Sequence, residues 1–192
     1  MKIINLSKNF ASKNIFNNDS FEFEDRKITY IVGESGIGKT TLLRIIAGLD
    51  KSFSGEIIDK SDKISYVFQE PRLFPNLSVK DNITLCADTS PYTADEMLNL
   101  VELDNELNSL PSSLSGGMKM RVALARAIYS NGDIYLMDEP FSALDDDLKD
   151  RILPKIFDYL KGKTVIIVSH NLEEANKFAD KIIDFNTNLN QR

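Results

Sequence analysis

The sequence predicts an α/β domain built around a phosphate loop, and three observations carry that prediction. First, Gly33-Glu34-Ser35-Gly36-Ile37-Gly38-Lys39-Thr40 lies between a β-prone run, Lys27 to Val32, and an apolar helical run, Thr41 to Ala47, that stops at Gly48. Strand, glycine-rich loop and helix thus come in the order a phosphate site requires. Second, helices and strands alternate after Gly117: a helix to about Ser130, strand Ile134 to Met137, helix Asp147 to Leu160, strand Thr164 to Val168, a short helix from about Leu172, and strand Lys181 to Phe185. That alternation is the pattern of a largely parallel sheet. Third, a helix-rich segment, roughly 76–114, separates the two halves as an inserted subdomain.

The remaining elements follow from local pattern. Lys2 to Leu6 and Phe21 to Glu24 read as short strands of an antiparallel sheet, the second alternating Phe21 and Phe23 with polar neighbours. The polar stretch Ser12 to Ser20 is expected to be the turn between them. Gly55 to Ile58 and Ile64 to Phe68 are two further strands, separated by the charged turn Asp59 to Lys63. From Val79 to Leu110 the composition favours helices, broken by a polar linker at Asp88 to Thr93 and punctuated by Pro71, Pro75 and Pro111. The polar tail Asn186 to Arg192 is expected to fray.

A chain of 192 residues that is 42% hydrophobic buries the core of one domain, 1–192, with a small subdomain inside it. Its formal charge of -6, with no basic stripe, argues against a nucleic-acid partner. A single cysteine, Cys86, excludes an intrachain disulfide and a cysteine-based metal site. The N-terminus lacks the apolar stretch of a signal peptide, and no apolar run is long enough to span a bilayer. The expected location is therefore cytoplasmic, with any membrane association made through a partner.

The motifs define the chemistry. Closely spaced glycines let successive backbone N–H groups converge on an anion, Lys39 reaches the β- and γ-phosphates of a nucleotide, and the Thr40 hydroxyl can ligate Mg²⁺. The helix opening at Thr41 adds its partial positive end. Leu114-Ser115-Gly116-Gly117 is a second glycine-rich element opening a helix, so the Ser115 hydroxyl and nearby N–H groups form a second anion site as well as a cap. Ile134 to Glu139 is an apolar strand that delivers two adjacent carboxylates, Asp138 and Glu139, at its C-terminal end. In phosphoryl transfer one carboxylate can orient Mg²⁺ while the next polarises the attacking water.

These motifs, in this order from about Phe10 to His170, resemble the ATP-binding subunit of an ATP-binding cassette (ABC) transporter. The resemblance implies a phosphate-loop ATPase core with an N-terminal antiparallel β subdomain and an inserted helical subdomain. It implies Walker A at Gly33 to Thr40, the Q-loop at Gln69, the signature at Ser115, Gly116 and Gly117, and Walker B at Ile134 to Asp138. It further implies a D-loop ending at Asp145, a switch histidine at His170, and an adenine-stacking aromatic at Phe10, with Phe16 and Phe21 as alternatives. Glu139, His170 and Gln69 are then the catalytic set. Thr40, Gln69 and Asp138 hold Mg²⁺, and ATP is the nucleotide. The family arrangement is a head-to-tail dimer, homomeric or heteromeric, in which each ATP lies between Walker A of one chain and the signature of the other. Its further partners are membrane permease subunits and an extracytoplasmic solute-binding protein, which places the chain on the cytoplasmic face of the membrane.

Met118 stands where the common signature has glutamine. With Gln69-Glu70-Pro71-Arg72-Leu73-Phe74-Pro75, it resembles importers of nitrate, sulfonate and taurine. The insertion between Gln69 and Ser115 is short for the family, and no regulatory C-terminal domain is expected. Pro71, Leu73, Phe74, Pro75 and Leu77 form a patch suited to a short permease helix. Competing readings are an exporter or lipoprotein-releasing ATPase and a soluble ATPase of iron–sulfur assembly.

Overall fold

In the computed structural model, which describes residues 1–10, 13–87 and 89–188, two sheets divide the strands between them. The expected turn residue Ser12, the linker residue Asp88 and the tail end 189–192 lie outside the described residues. The smaller sheet is antiparallel, in the order β2-β1-β4, with β1 at Lys2–Phe10, β2 at Lys13–Glu22 and β4 at Ser54–Ile58. The larger is wholly parallel, in the order β5-β6-β7-β3-β8. Its strands are β3 (Ile28–Val32), β5 (Ile64–Val67), β6 (Ile134–Asp138), β7 (Thr164–Val168) and β8 (Lys181–Asp184).

The expected turn from Ser12 to Ser20 is a correction. Residues 13–20 belong to β2, and the hairpin with β1 closes where Phe10 pairs with Lys13. Asn14, Asn17, Asn18 and Asp19 have poor strand propensity, yet Phe16 and Phe21 are buried and anchor the strand. Register shifts along the β1–β2 pair, with Asn18 at φ 61, absorb the irregular pattern as bulges. The two strands after the phosphate-loop helix also separate, β4 joining the antiparallel sheet and β5 the parallel one.

Parallel strands are buried on both faces, and their alternation divides the core in two. Ile31, Ile134, Leu136, Ile166 and Val168 face the antiparallel sheet and α1 (Lys39–Ile46). Tyr30, Val32, Met137, Val165 and Ile167 face the other side, packing with α4 (Gly116–Tyr129) and α5 (Asp146–Tyr159). The inserted segment supplies α2 (Val79–Thr84) and α3 (Ala94–Leu100), followed by two 3-10 turns at Asp104–Glu106 and Pro111–Ser113. Thr93 and Glu96 form a reciprocal capping box on α3, and Ser78 caps α2. Arg121 on α4 donates to the Val101 and Glu102 carbonyls and so fixes the insert to the core. After β7 come α6 (Leu172–Phe178) and, after β8, the short α7 (Phe185–Asn188). Among the described residues no helix is long and apolar enough to cross a membrane.

Candidate active site

A cleft of about 380 Å³ opens where the C-terminal ends of β3 and β6 meet the antiparallel sheet. Its walls include Phe10, Ser35, Gly36, Gly38, Lys39, Thr40, Thr41, Gln69, Asp138 and Glu139, so residues far apart in the chain converge there. Ile15 and Val168 also line it, and the sequence pattern does not single out either. Val168 is an ordinary strand residue, and Ile15 lies in the stretch expected to be a turn.

The loop geometry follows from glycine. Gly38, the N-cap of α1, has φ 119, and a Cβ there would lie 2.6 Å from the Ile15 Cγ2 atom, so only glycine fits. No side chain caps α1, and its first residues, Lys39, Thr40 and Thr41, line the cleft, so the N-terminal end of the helix borders it. Lys39 is 7% exposed and donates to the carbonyls of Gly33 at 2.6 Å and Glu34 at 2.8 Å, which folds its ammonium back over the loop. Burial lowers its pKa, while the charges of Glu139 and Asp138 oppose that shift. Glu34 is itself tethered, its N–H donating to the Asn186 side chain. Ile37 packs against the core beneath the loop rather than entering the cleft.

The carboxylates take different environments. Asp138 is 3% exposed, and burial raises its pKa, with Glu139 adding to the rise and the hydrogen bond from Thr40 opposing it. The Thr40 hydroxyl donates to Asp138 Oδ1 at 3.0 Å. Glu139 lies just past the strand at φ 50, a left-handed conformation that a non-glycine residue adopts only when its surroundings hold it there. Here the Glu139 N–H donates to the Val168 carbonyl on β7, and Ser142 Oγ donates to the Glu139 carbonyl. His170, exposed beyond β7, places Nδ1 2.9 Å from Glu139 Oε2. Gln69 is at the mouth of the cleft and exposed.

Of the expected residues, Gly33, Glu34, Ile37 and His170 are not on the cleft lining although residues next to them or bonded to them are, and Ser115, Gly116, Gly117 and Asp145 belong to other loops. Ser115, Gly116 and Gly117 do not line the cleft; Ser115 is exposed and accepts the Met118 N–H as N-cap of α4. Asp145, likewise exposed and outside the cleft, caps α5 by accepting the Leu148 N–H at 2.9 Å. A Cβ on Gly117 would lie 3.0 Å from the Ala143 carbonyl, so the signature loop and the D-loop lie close together. Of the three candidate aromatics for the adenine, Phe16 and Phe21 are buried, whereas Phe10 is 49% exposed and faces the cleft.

A phosphate loop after one parallel strand, with an acidic pair delivered by another and a histidine paired to it from beyond the next, defines a P-loop nucleoside-triphosphatase. The chain belongs to the ABC transporter family, whose pattern matches residues 16–142. It is similar to the aliphatic sulfonates import ATP-binding protein SsuB of Bacillus cereus, 38% identical over 92% of this chain and 76% of that protein. It is also similar to the sulfate/thiosulfate import ATP-binding protein CysA of Mannheimia succiniciproducens, 36% identical over 97% of this chain and 58% of that protein. Among solved structures, a dimeric post-hydrolysis state of an ATP-binding cassette bound to ADP and Pi superposes with a TM-score of 0.83, at 31% identity, covering 95% of this chain and 93% of that one. The protein is an ATP-binding subunit of an ABC transporter, and ATP hydrolysis is its reaction.

Proposed function

We propose that this subunit energises the import of a small oxyanionic solute, of the sulfonate or sulfate class, through separate membrane permease subunits on the cytoplasmic face. The observation that carries the reading is the division of the chain into two anion-binding loops, only one of which lies in its own cleft. A single nucleotide engages Walker A of one subunit, which leaves Ser115, Gly116 and Gly117 free to close over the nucleotide of a second subunit, with Asp145 beside them. The dimeric relative supports that arrangement, and the import proteins named above support the solute class.

Phe10, Gly33 to Thr41 and the N-terminus of α1 bind ATP. Glu139 orients and polarises the attacking water, His170 steadies Glu139 and the γ-phosphate, and Gln69 links the cleft mouth to the segment beyond it. Thr40, Gln69 and Asp138 offer a hydroxyl, an amide and a carboxylate, the hard oxygen set that suits Mg²⁺, which neutralises phosphate charge when bound. Beyond Gln69, a shallow groove of about 330 Å³ includes Phe68, Phe74, Leu85 and Arg126, and Phe74 and Leu85 are 51% and 62% exposed. A permease's short cytoplasmic helix fits such a groove. Arg126 on the signature helix holds it in place by donating to the Pro71 and Arg72 carbonyls.

Purification from native membranes tests the proposal. A multi-span permease and an extracytoplasmic solute-binding protein whose ligand is a sulfonate or sulfate are the expected companions. Recovery with soluble iron–sulfur assembly proteins instead would overturn it.

A further inference from the structure

Phe10 lines the cleft, and its ring also has a cation over it. The Lys8 ammonium lies 4.6 Å from the ring centroid, and Lys8 is only 4% exposed and not among the residues lining the cleft, so the cation is buried in the protein rather than in the cleft. Three oxygens fix it there: Asp50 Oδ1 and Oδ2, both at 2.8 Å, and the Ser52 carbonyl at 2.6 Å. All three come from the loop that follows α1. Asp50 is in turn clipped to the helix that carries Walker A, its N–H donating to the Arg44 carbonyl at 3.2 Å. Its carboxyl is held below the ordinary range, first by the hydrogen bond from Lys8.

A buried ammonium bonded to three oxygens has no freedom to wander, and a cation under an aromatic face attracts it electrostatically. The ring therefore inherits its position from α1. The same helix places its N-terminus against the phosphates, so one rigid element spaces the two ends of the nucleotide site: phosphate at Gly38 and Lys39, base at Phe10.

We propose that Lys8, held by Asp50, is a positioning residue for the nucleotide base: it fixes Phe10 from beneath at a set distance from the phosphate loop. The inference rests on the reading that Phe10 stacks on adenine. Lys8 touches no part of the nucleotide itself, and its effect passes through the ring. A pre-positioned platform raises affinity by removing the cost of ordering it on binding, and only ligands that carry a base gain from it.

Calorimetric titration of the full chain with MgATP and with magnesium tripolyphosphate, which has no base, tests the proposal. Lys8→Met should raise the Kd for ATP about fivefold while leaving that for tripolyphosphate within about twofold. Phe10→Ala should show the same ligand selectivity, and adding Lys8→Met to it should change ATP affinity by less than about twofold, because the ring through which the lysine acts is gone. Should Lys8→Met fail to fold, Asp50→Ala releases the ammonium from beneath the ring and should give the same selectivity. Equal weakening of both ligands, or unchanged ATP affinity in Lys8→Met when Phe10→Ala does weaken it, overturns the positioning role while leaving Phe10 in place. Unchanged ATP affinity in Phe10→Ala removes the stacking reading and this inference together.

Discussion

His170 Nδ1 lies 2.9 Å from Glu139 Oε2, so the residues just beyond two neighbouring parallel strands form one unit. Sheet register produces the pair: Asp138 on β6 is aligned with Val168 on β7, and past the strand ends Glu139, one residue on, meets His170, two residues on. A carboxylate accepts, so Nδ1 is the donor of the pair and Nε2 is the ring nitrogen not engaged with Glu139. Glu139 is thus oriented from both sides, by its backbone bond to Val168 and by the imidazole.

Glu139→Gln keeps the shape and one acceptor but loses the charge that, in the proposed function, polarises water. ATP binding is expected to persist while turnover falls by at least about a hundredfold, with an ATP-bound dimer accumulating. Lys39→Ala, in contrast, should lose nucleotide affinity. Separate measurement of binding and turnover checks both, and a Glu139→Gln protein that hydrolyses at near wild-type rate takes Glu139 out of the mechanism.

Asp138 makes a prediction about pH. Burial raises its pKa in the folded chain above the unfolded value, so the folded state binds a proton more readily. Stability from this group is therefore greatest at low pH and falls as pH rises through the interval between the two values. Asp138→Asn, neutral at every pH, should raise the nucleotide-free melting temperature at pH 7. The gain should vanish below the ordinary carboxylate range, where wild type is neutral too. Thermal melts from pH 4 to 8 measure it, and a gain that grows toward acid contradicts the assignment.

The phosphate loop and acidic pair are legible because each is contiguous: Gly33 to Thr40 and Ile134 to Glu139 carry their spacing within one segment. The parallel strands are legible for a similar reason, being continuous apolar runs bounded by turn residues. The antiparallel sheet is harder to read. In β2 the buried Ile15, Phe16 and Phe21 are separated by asparagines and a register shift, so no period of two survives, and pairing with β1 supplies what propensity does not. Ile15 escapes notice as a cleft residue for that reason. Lys8 is also invisible in the sequence, because its partners Asp50 and Ser52 lie more than 40 positions away and only the fold brings them under Phe10.

The patch after Gln69 resolves into two roles. Leu73 is half-buried and packs on the core, whereas Phe74 is exposed, its backbone held by Asn82, whose side chain both accepts the Phe74 N–H and donates to its carbonyl. Phe74→Ser, alone or with Leu85→Ser, should abolish transport in reconstituted vesicles while the isolated subunit keeps its ATPase rate and melting temperature. Leu73→Ser should instead lower the melting temperature. A large stability loss in Phe74→Ser would count against the docking role of this groove.

Ser115 lies outside its own chain's cleft, and that placement gives a test of whether it acts across a dimer. A Ser115→Arg protein keeps Walker A and presents a ruined signature, and a Lys39→Ala protein presents the reverse. Each alone should be inactive. In a mixed heterodimer one site pairs an intact Walker A with an intact signature, while the other is doubly broken, so ATP hydrolysis should return if one competent site suffices. Heterodimer formation must be verified in the same sample. With heterodimers present but activity absent, a photoreactive ATP analogue separates obligate cooperation between two sites from action within one chain. Crosslinking to Ser115 of the chain whose Walker A is defective supports action in trans, and labelling confined to the chain that supplies Lys39 rules it out.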